Sequence, residues 1–318
     1  MTELAYSLSS EEHDARTLVE TAKRAEAAGF RSVWISDHYH PWIDRQGHSP
    51  FVWSVIGGIA ATTDLTVTTG VTCPIMRIHP AILAQAAATS SNMLPDGRFR
   101  FGVGTGEALN EHILGDRWPP ADLRLDMLEE AIGLMRRLWT GESVTHRGEH
   151  FTVENARIYT RPSGEIPVPV SAFGPQALAL AAEHGDGWVT TGPDAEMLGR
   201  YREAGGTGPT YGALKVCWGE DEASARKLAH ELWPTSGVPG QLSQDLPTPA
   251  HFEQAVATVT EREANEGRPC GPDPEAYVTA IGQYVDAGFD EVALTQIGPD
   301  QEGFLRFYER ELRPRLGD

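Results

Sequence analysis

Cysteine is nearly absent from this chain of 318 residues: Cys73, Cys217 and Cys270 stand far apart and form no CxxC pair. That spacing argues against a disulfide framework and a zinc–thiolate site, and it suits a reducing compartment. Basic residues are also short, with 26 Lys and Arg against 45 Asp and Glu, for a net charge of −19. So acidic a surface repels phosphate backbones and anionic headgroups, which argues against nucleic acid and membrane as partners. An anionic small molecule binds only where local donors outweigh that general field. No apolar run approaches the ~20 residues of a membrane-spanning helix. The opening Met1-Thr2-Glu3-Leu4 has neither the basic start nor the apolar run of a secretory signal. The expectation is a cytoplasmic globular protein with a large core, since 40% of the chain is hydrophobic.

What the chain does have is alternation. Apolar and β-branched runs at 4–8, 32–36, 65–73, 98–103, 168–172, 187–191, 211–218 and 291–296 read as strands. Between them, residues 15–28, 53–63, 79–94, 123–139, 176–184, 196–203, 222–233, 274–287 and 304–313 carry helical spacing. Residues 140–165 and 236–272 read as insertions, the second with some helix over 251–263. This order predicts an α/β fold, a single (β/α)8 TIM barrel over residues 1–318, with a doubly wound open sheet as the alternative. In such a barrel, catalytic groups stand at the C-terminal ends of the strands.

Two motifs lie at such ends. In SDHYHPW, residues 36–42, His38 and His40 form an H-x-H pair that could share a metal. The later strand ends, Ser171-Ala172-Phe173-Gly174, Thr190-Thr191-Gly192 and Gln296-Ile297-Gly298, offer no further ligand, so no metal is expected. GVGTGE, residues 102–107, approaches the dinucleotide fingerprint but places Glu107 where its third glycine belongs. A turn built from Gly104 and Gly106 still lets a ligand approach the backbone, and Ala108-Leu109-Asn110 starts a helix with free N–H groups. Gly70-Val71, inside the third strand, marks either a close backbone approach or a strand that simply ends. Arg77 and His79 read as anion donors or as solvated surface groups.

Together SSEE (9–12), SDHYHPW, GTGEALNE (104–111), GDGWVTTG (185–192) and GPDQEGFLRFYERELRPRL (298–316) resemble the luciferase-like superfamily of barrels. The resemblance is to the branch that uses the deazaflavin coenzyme F420, and within it to the F420-dependent glucose-6-phosphate dehydrogenases. It implies a cofactor across the barrel mouth, its ring near the second, third and fourth strand ends. By resemblance Asp37 contacts the deazaflavin, His38 takes the substrate hydroxyl proton, and Trp42 lines the site. Glu107 donates a proton to the reduced deazaflavin, and Glu11 orients or assists the histidine. Gly70-Val71 matches the place where relatives carry a non-prolyl cis peptide against the ring. Gly104, Thr105, Gly106, Ala108 and Asn110, with Ala172 and Gly174 across the barrel, complete the implied cofactor contacts, and His40 falls to a packing role. The residue types suit the chemistry, since an imidazole near neutrality is an apt base for a hydroxyl proton. The implied reaction passes hydride from an alcohol or sugar carbon to deazaflavin C5, in a homodimer. The alternatives are a reductase using reduced F420, a monooxygenase using FMN, and a non-catalytic cofactor-binding protein.

The chain departs from that pattern where the glucose-6-phosphate enzymes hold phosphate with two lysines and an arginine. The corresponding positions here fall at or near Asp194, Glu266 and Glu302 or Gly303. Arg200, Arg202 and Arg268 are the nearby cations that could compensate. Losing a charged hydrogen bond costs about 1.5–3 kcal/mol before repulsion is counted, so the expected substrate is an alcohol or unphosphorylated sugar rather than glucose-6-phosphate.

Overall fold

The computed structural model describes residues 2–238 and 240–317. Eight parallel strands form the central sheet: β1 (Glu3–Leu8), β2 (Ser32–Ile35), β3 (Thr66–Thr69), β4 (Phe99–Arg100), β7 (Pro169–Ser171), β8 (Gly187–Thr190), β9 (Thr210–Val216) and β10 (Glu291–Gln296). Their order is β4-β3-β2-β1-β10-β9-β8-β7, and Val103 bridges Thr72 on one side and Val170 on the other. The bonds Val103 N–H to Pro169 O and Ser171 N–H to Val103 O join the two sheet edges, so the sheet closes into a (β/α)8 barrel.

Strand alternation sorts the side chains into two layers. Ala5, Trp34, Val189, Tyr211 and Ala293 fill the barrel interior, packed with Val71. Leu4, Val33, Ile35, Val67, Leu214, Val216 and Leu294 face outward into the larger core beneath the helices. Those helices are α1 (Ala15–Ala27), α2 (Val52–Ala60), α3 (Pro80–Met93), α5 (Ala121–Trp139), α6 (Pro175–His184), α7 (Ala195–Glu203), α8 (Glu222–Leu232) and α12 (Pro274–Ala287), closed by α13 (Gln301–Phe307) and α14 (Arg313–Leu316). Their starts follow local chemistry: Asp14 caps α1 by accepting from Thr17 N–H, and His79 caps α3, which opens on Pro80. A short helix, α4 (Ala108–Glu111), follows the glycine turn after β4.

Residues 140–165 hold an antiparallel pair, β5 (Val144–Arg147) and β6 (Thr152–Ala156). Residues 236–272 hold α9 (Leu242–Asp245), α10 (Pro249–Ala255) and α11 (Glu261–Ala264). The helix expected over 251–263 comes in two pieces, because Thr260 and Glu263 form a capping box that starts a new helix. The strand expected over 98–103 shortens to β4 plus the Val103 bridge. A Cβ on Gly102 would lie 2.1 Å from Thr69 O, so the backbones approach there at a distance only glycine permits.

Candidate active site

The mouth of the barrel is assembled from the segments that leave the strands. After β1, Ser9, Ser10 and Glu11 turn over the top; after β2 come Ser36, Asp37 and His38. Glu11 Oε1 lies 2.9 Å from His38 Nδ1. The approach is out of line with the ring N–H, so the contact is an ion pair more than an aligned hydrogen bond. The second oxygen, Glu11 Oε2, accepts from Ser9 Oγ at 2.9 Å and Ser36 Oγ at 2.8 Å. Burial opposes charge on Glu11, but His38, its own backbone and Ser36 outweigh it and lower its pKa to about 2. Burial also pushes the His38 imidazole down, and the charge and contact of Glu11, helped by Glu107 and Asp37, turn the net shift upward. His38 Nδ1 is thus committed to Glu11, which leaves Nε2 as the nitrogen for a substrate.

A second network lies beneath the first. Asp37 is buried, its Oδ2 accepting from Thr72 Oγ1 and its Oδ1 from Arg77 Nη2, both at 2.8 Å. Arg77 also gives its backbone N–H to Glu111 Oε2 at 2.9 Å and places Nε 3.4 Å from Oε1. Desolvation dominates at Glu111 and raises its pKa to about 7 despite Arg77. Asn110 ties the same helix to the β2 loop, its Oδ1 accepting from the N–H groups of Tyr39 and His40 at 2.9 and 3.0 Å. Its amide nitrogen stands 3.4 Å from Glu107 Oε2. The loops after β2, β3 and β4 are therefore bound to one another by buried polar contacts, which fixes their relative positions.

Around these polar groups stand aromatic and glycine walls. The His38 and Trp42 rings meet edge to face at 5.2 Å, and Trp42 meets Phe252 of α10 in the same way at 5.1 Å. Tyr39, Leu114 and Phe173 project from the loops after β2, β4 and β7 and are more than half exposed. The Gly70-Val71 peptide is cis. Gly106 takes a φ of +71°, and a Cβ there would meet Cys73 Sγ at 2.6 Å; one on Gly104 would meet Val71 Cγ2 at 2.9 Å. An exposed apolar rim over glycine backbone, with carboxylates and an imidazole at its edge, fits a planar cofactor ring.

The structure brings Glu11, Asp37, His38, Trp42, Gly70, Val71, Gly104, Thr105, Gly106 and Glu107 to this one end of the barrel. Gly174 opens α6 with free space where a Cβ would stand, and Ala172 is buried, its carbonyl accepting from Trp188 Nε1. Ala108 and Asn110 are buried inside the short helix, and the Asn110 side chain is spent on backbone. His40 accordingly packs, with Nδ1 2.9 Å from Leu109 O. Arg77 is neither an anion donor nor a solvated group, since Asp37 and Glu111 occupy it, and His79 is a helix cap. The buried partner is Glu111, the second glutamate of GTGEALNE, which its sequence context did not single out. Among the described residues, no group of three or more His, Cys, Asp or Glu could hold a metal ion.

The family model for luciferase-like monooxygenases matches residues 1–291, and the chain belongs to that luciferase-like family. Within it, the chain is 35% identical over 325 residues to the F420-dependent glucose-6-phosphate dehydrogenase of Microbacterium testaceum, covering 98% of this chain and 96% of that one. It is 38% identical over 293 residues to the F420-dependent hydroxymycolic acid dehydrogenase of Mycobacterium tuberculosis, covering 88% and 79%. A solved F420-dependent secondary alcohol dehydrogenase, in complex with an F420–acetone adduct, superposes with a TM-score of 0.91 at 30% identity, covering 100% and 99%.

Proposed function

We propose that this protein is an F420-dependent dehydrogenase that oxidises a CH–OH carbon of a small alcohol. The observation that carries the reading is the buried Glu11–His38 pair beside Trp42, on the same barrel end as Glu107 and the glycine turn. Its relatives' shared use of F420 in dehydrogenation supports the choice of cofactor. When bound, the deazaflavin supplies the hydride acceptor.

His38 Nε2 takes the hydroxyl proton, and Glu11 holds the ring and balances the charge it gains. Trp42 and Phe252 wall the reacting carbon from water. Glu107, half-buried beside Gly106, holds and releases a proton on the cofactor's side of the site. Asp37 reaches that side already tied to Thr72 and Arg77, so its carboxylate is fixed before any ligand arrives. The raised proton affinity of His38 also suits the reverse direction, in which it would donate to a ketone.

Glucose-6-phosphate is a poor candidate substrate. Asp194 caps α7, Glu266 is exposed, and Glu302 pairs with Arg24 and Arg306 on the helical surface. Of the possible compensating cations, Arg200 pairs with Glu196, Arg202 is engaged by Gly206 O and Gly208 O, and Arg268 is held by Asn265 Oδ1 and Ser236 Oγ. Ile82 and Met93 are exposed on α3, apolar area that a homodimer would cover.

Separate His38→Ala and Glu107→Gln variants test these assignments. Each is expected to lower the rate of F420 reduction by about a hundredfold or more, the usual contribution of general acid–base catalysis, with F420 binding largely kept. Unchanged turnover in both removes them from the mechanism.

A further inference from the structure

The chain has three lysines, Lys23, Lys215 and Lys227. Two sit on the surface beside carboxylates, Lys23 with Glu20 and Lys227 with Glu231. Lys215 is different. It lies one residue before the C-terminal end of β9, paired in register with Thr295 of β10. Tyr211 on this strand fills the barrel interior, whereas Leu214 and Val216 belong to the outer core. Alternation therefore puts Lys215 on the interior face, at the mouth.

Its ammonium stands 4.4 Å from the centroid of the Trp233 ring, and among the described residues it makes no hydrogen bond and no ion pair. Three charged groups face it: Arg268, Glu11 and Glu12. None is available as a counterion. Glu11 is committed to His38, while Glu12 accepts from Trp233 Nε1 and Gly298 N–H, both at 2.7 Å. Arg268 is itself a buried cation without a carboxylate, held by Asn265 Oδ1 at 3.1 Å and Ser236 Oγ at 2.7 Å. Burial, then the nearby Arg268, lower the Lys215 pKa to about 8. An ammonium without a counterion, set beside a second buried cation whose partners are neutral, is costly in the barrel mouth without an anionic ligand.

We propose that Lys215 binds a carboxylate of the substrate, so that the alcohol oxidised here is a hydroxy acid, with its hydroxyl on His38 and its carboxylate on Lys215. The proposal rests on the dehydrogenase reading and narrows its substrate class. Glu11 is paired with His38 and its charge also acts on Lys215, so the two contacts share one end of the barrel. A single negative charge is favoured over a phosphate dianion because one ammonium is free, Arg268 is already engaged, and Glu11 and Glu12 stand close by.

Two measurements test it. Reductive methylation with carbon-13 formaldehyde labels few lysines, and the Lys215 signal is assigned by its loss in Lys215→Met. Lactate is expected to move that signal saturably in the full chain without added cofactor, 1,2-propanediol to leave it unmoved, and inorganic phosphate to bind more weakly than lactate. A Lys215 signal indifferent to lactate overturns the site, and tighter phosphate binding overturns the choice of carboxylate. With F420 present, the ratio of kcat/KM for hydroxy acids to that for the matching diols should fall on the order of ten- to a hundredfold in Lys215→Met, the loss of one charged contact. Lys215→Arg should recover part of it. An unchanged ratio overturns the proposal. Lactate binding without F420 reduction by any alcohol would instead count against the dehydrogenase reading and leave the carboxylate site standing.

Discussion

His38 acts as a base only when unprotonated, and Glu11 governs how much of that form exists at a given pH. The carboxylate stabilises the imidazolium, so the folded pKa lies above the ordinary value of histidine. Turnover in the oxidative direction should then rise with pH through that raised pKa. Glu11→Gln removes the charge, lowers the His38 pKa, and should move the acid limb of the kcat/KM profile to lower pH while reducing its plateau. A limb that stays in place would show that Glu11 does not set the proton affinity of His38. That Glu11, Asp37, His38, Trp42 and Glu107 share one barrel end was legible from motifs at strand ends, while their roles came only from the family resemblance. Arg77 was not, because its role depends on a partner 34 positions away, and nothing local shows that contact. Lys215 was not legible either, since the period of a strand does not by itself say which of its faces turns inward.

At the scale of elements, the order of strands and helices was readable from periodicity, and their ends were less so. Strand ends moved where glycine takes the backbone out of the ladder, as after β3 and β4. The polar contacts that bind those loops are more consequential than the ladder itself. Arg77 stands between Asp37 and Glu111, both buried, and its removal takes the counterion from Asp37 and leaves Glu111 to its burial alone. Arg77→Met should therefore cost about 3–5 kcal/mol of unfolding free energy at neutral pH. The deficit should shrink as pH falls below about 7 and Glu111 protonates. Denaturant melts across pH check both points. A loss no larger than the ~0.5 kcal/mol of an ordinary surface substitution would mean the cluster does not hold the loops.

At the scale of the whole molecule, barrel closure is what turns separate motifs into a site. SSEE, SDHYHPW and GTGEALNE are far apart in the chain, and the parallel strands carry all of them to one end. That convergence followed from the alternation alone, because a closed parallel barrel has only one C-terminal face. The substrate was not readable in the same way, since it depends on which charges turn inward. The central claim is that this face takes F420 and reduces it with an alcohol. The most direct measurement is a titration of the protein with F420 and, separately, FMN, followed by addition of an alcohol and hydroxy-acid panel while the violet-edge absorbance of F420 is monitored. Saturable F420 binding, preference over FMN, and bleaching on addition of an alcohol or hydroxy acid are the predicted results. Preferential binding of FMN, or F420 binding with no bleaching by any member of the panel, would contradict the account.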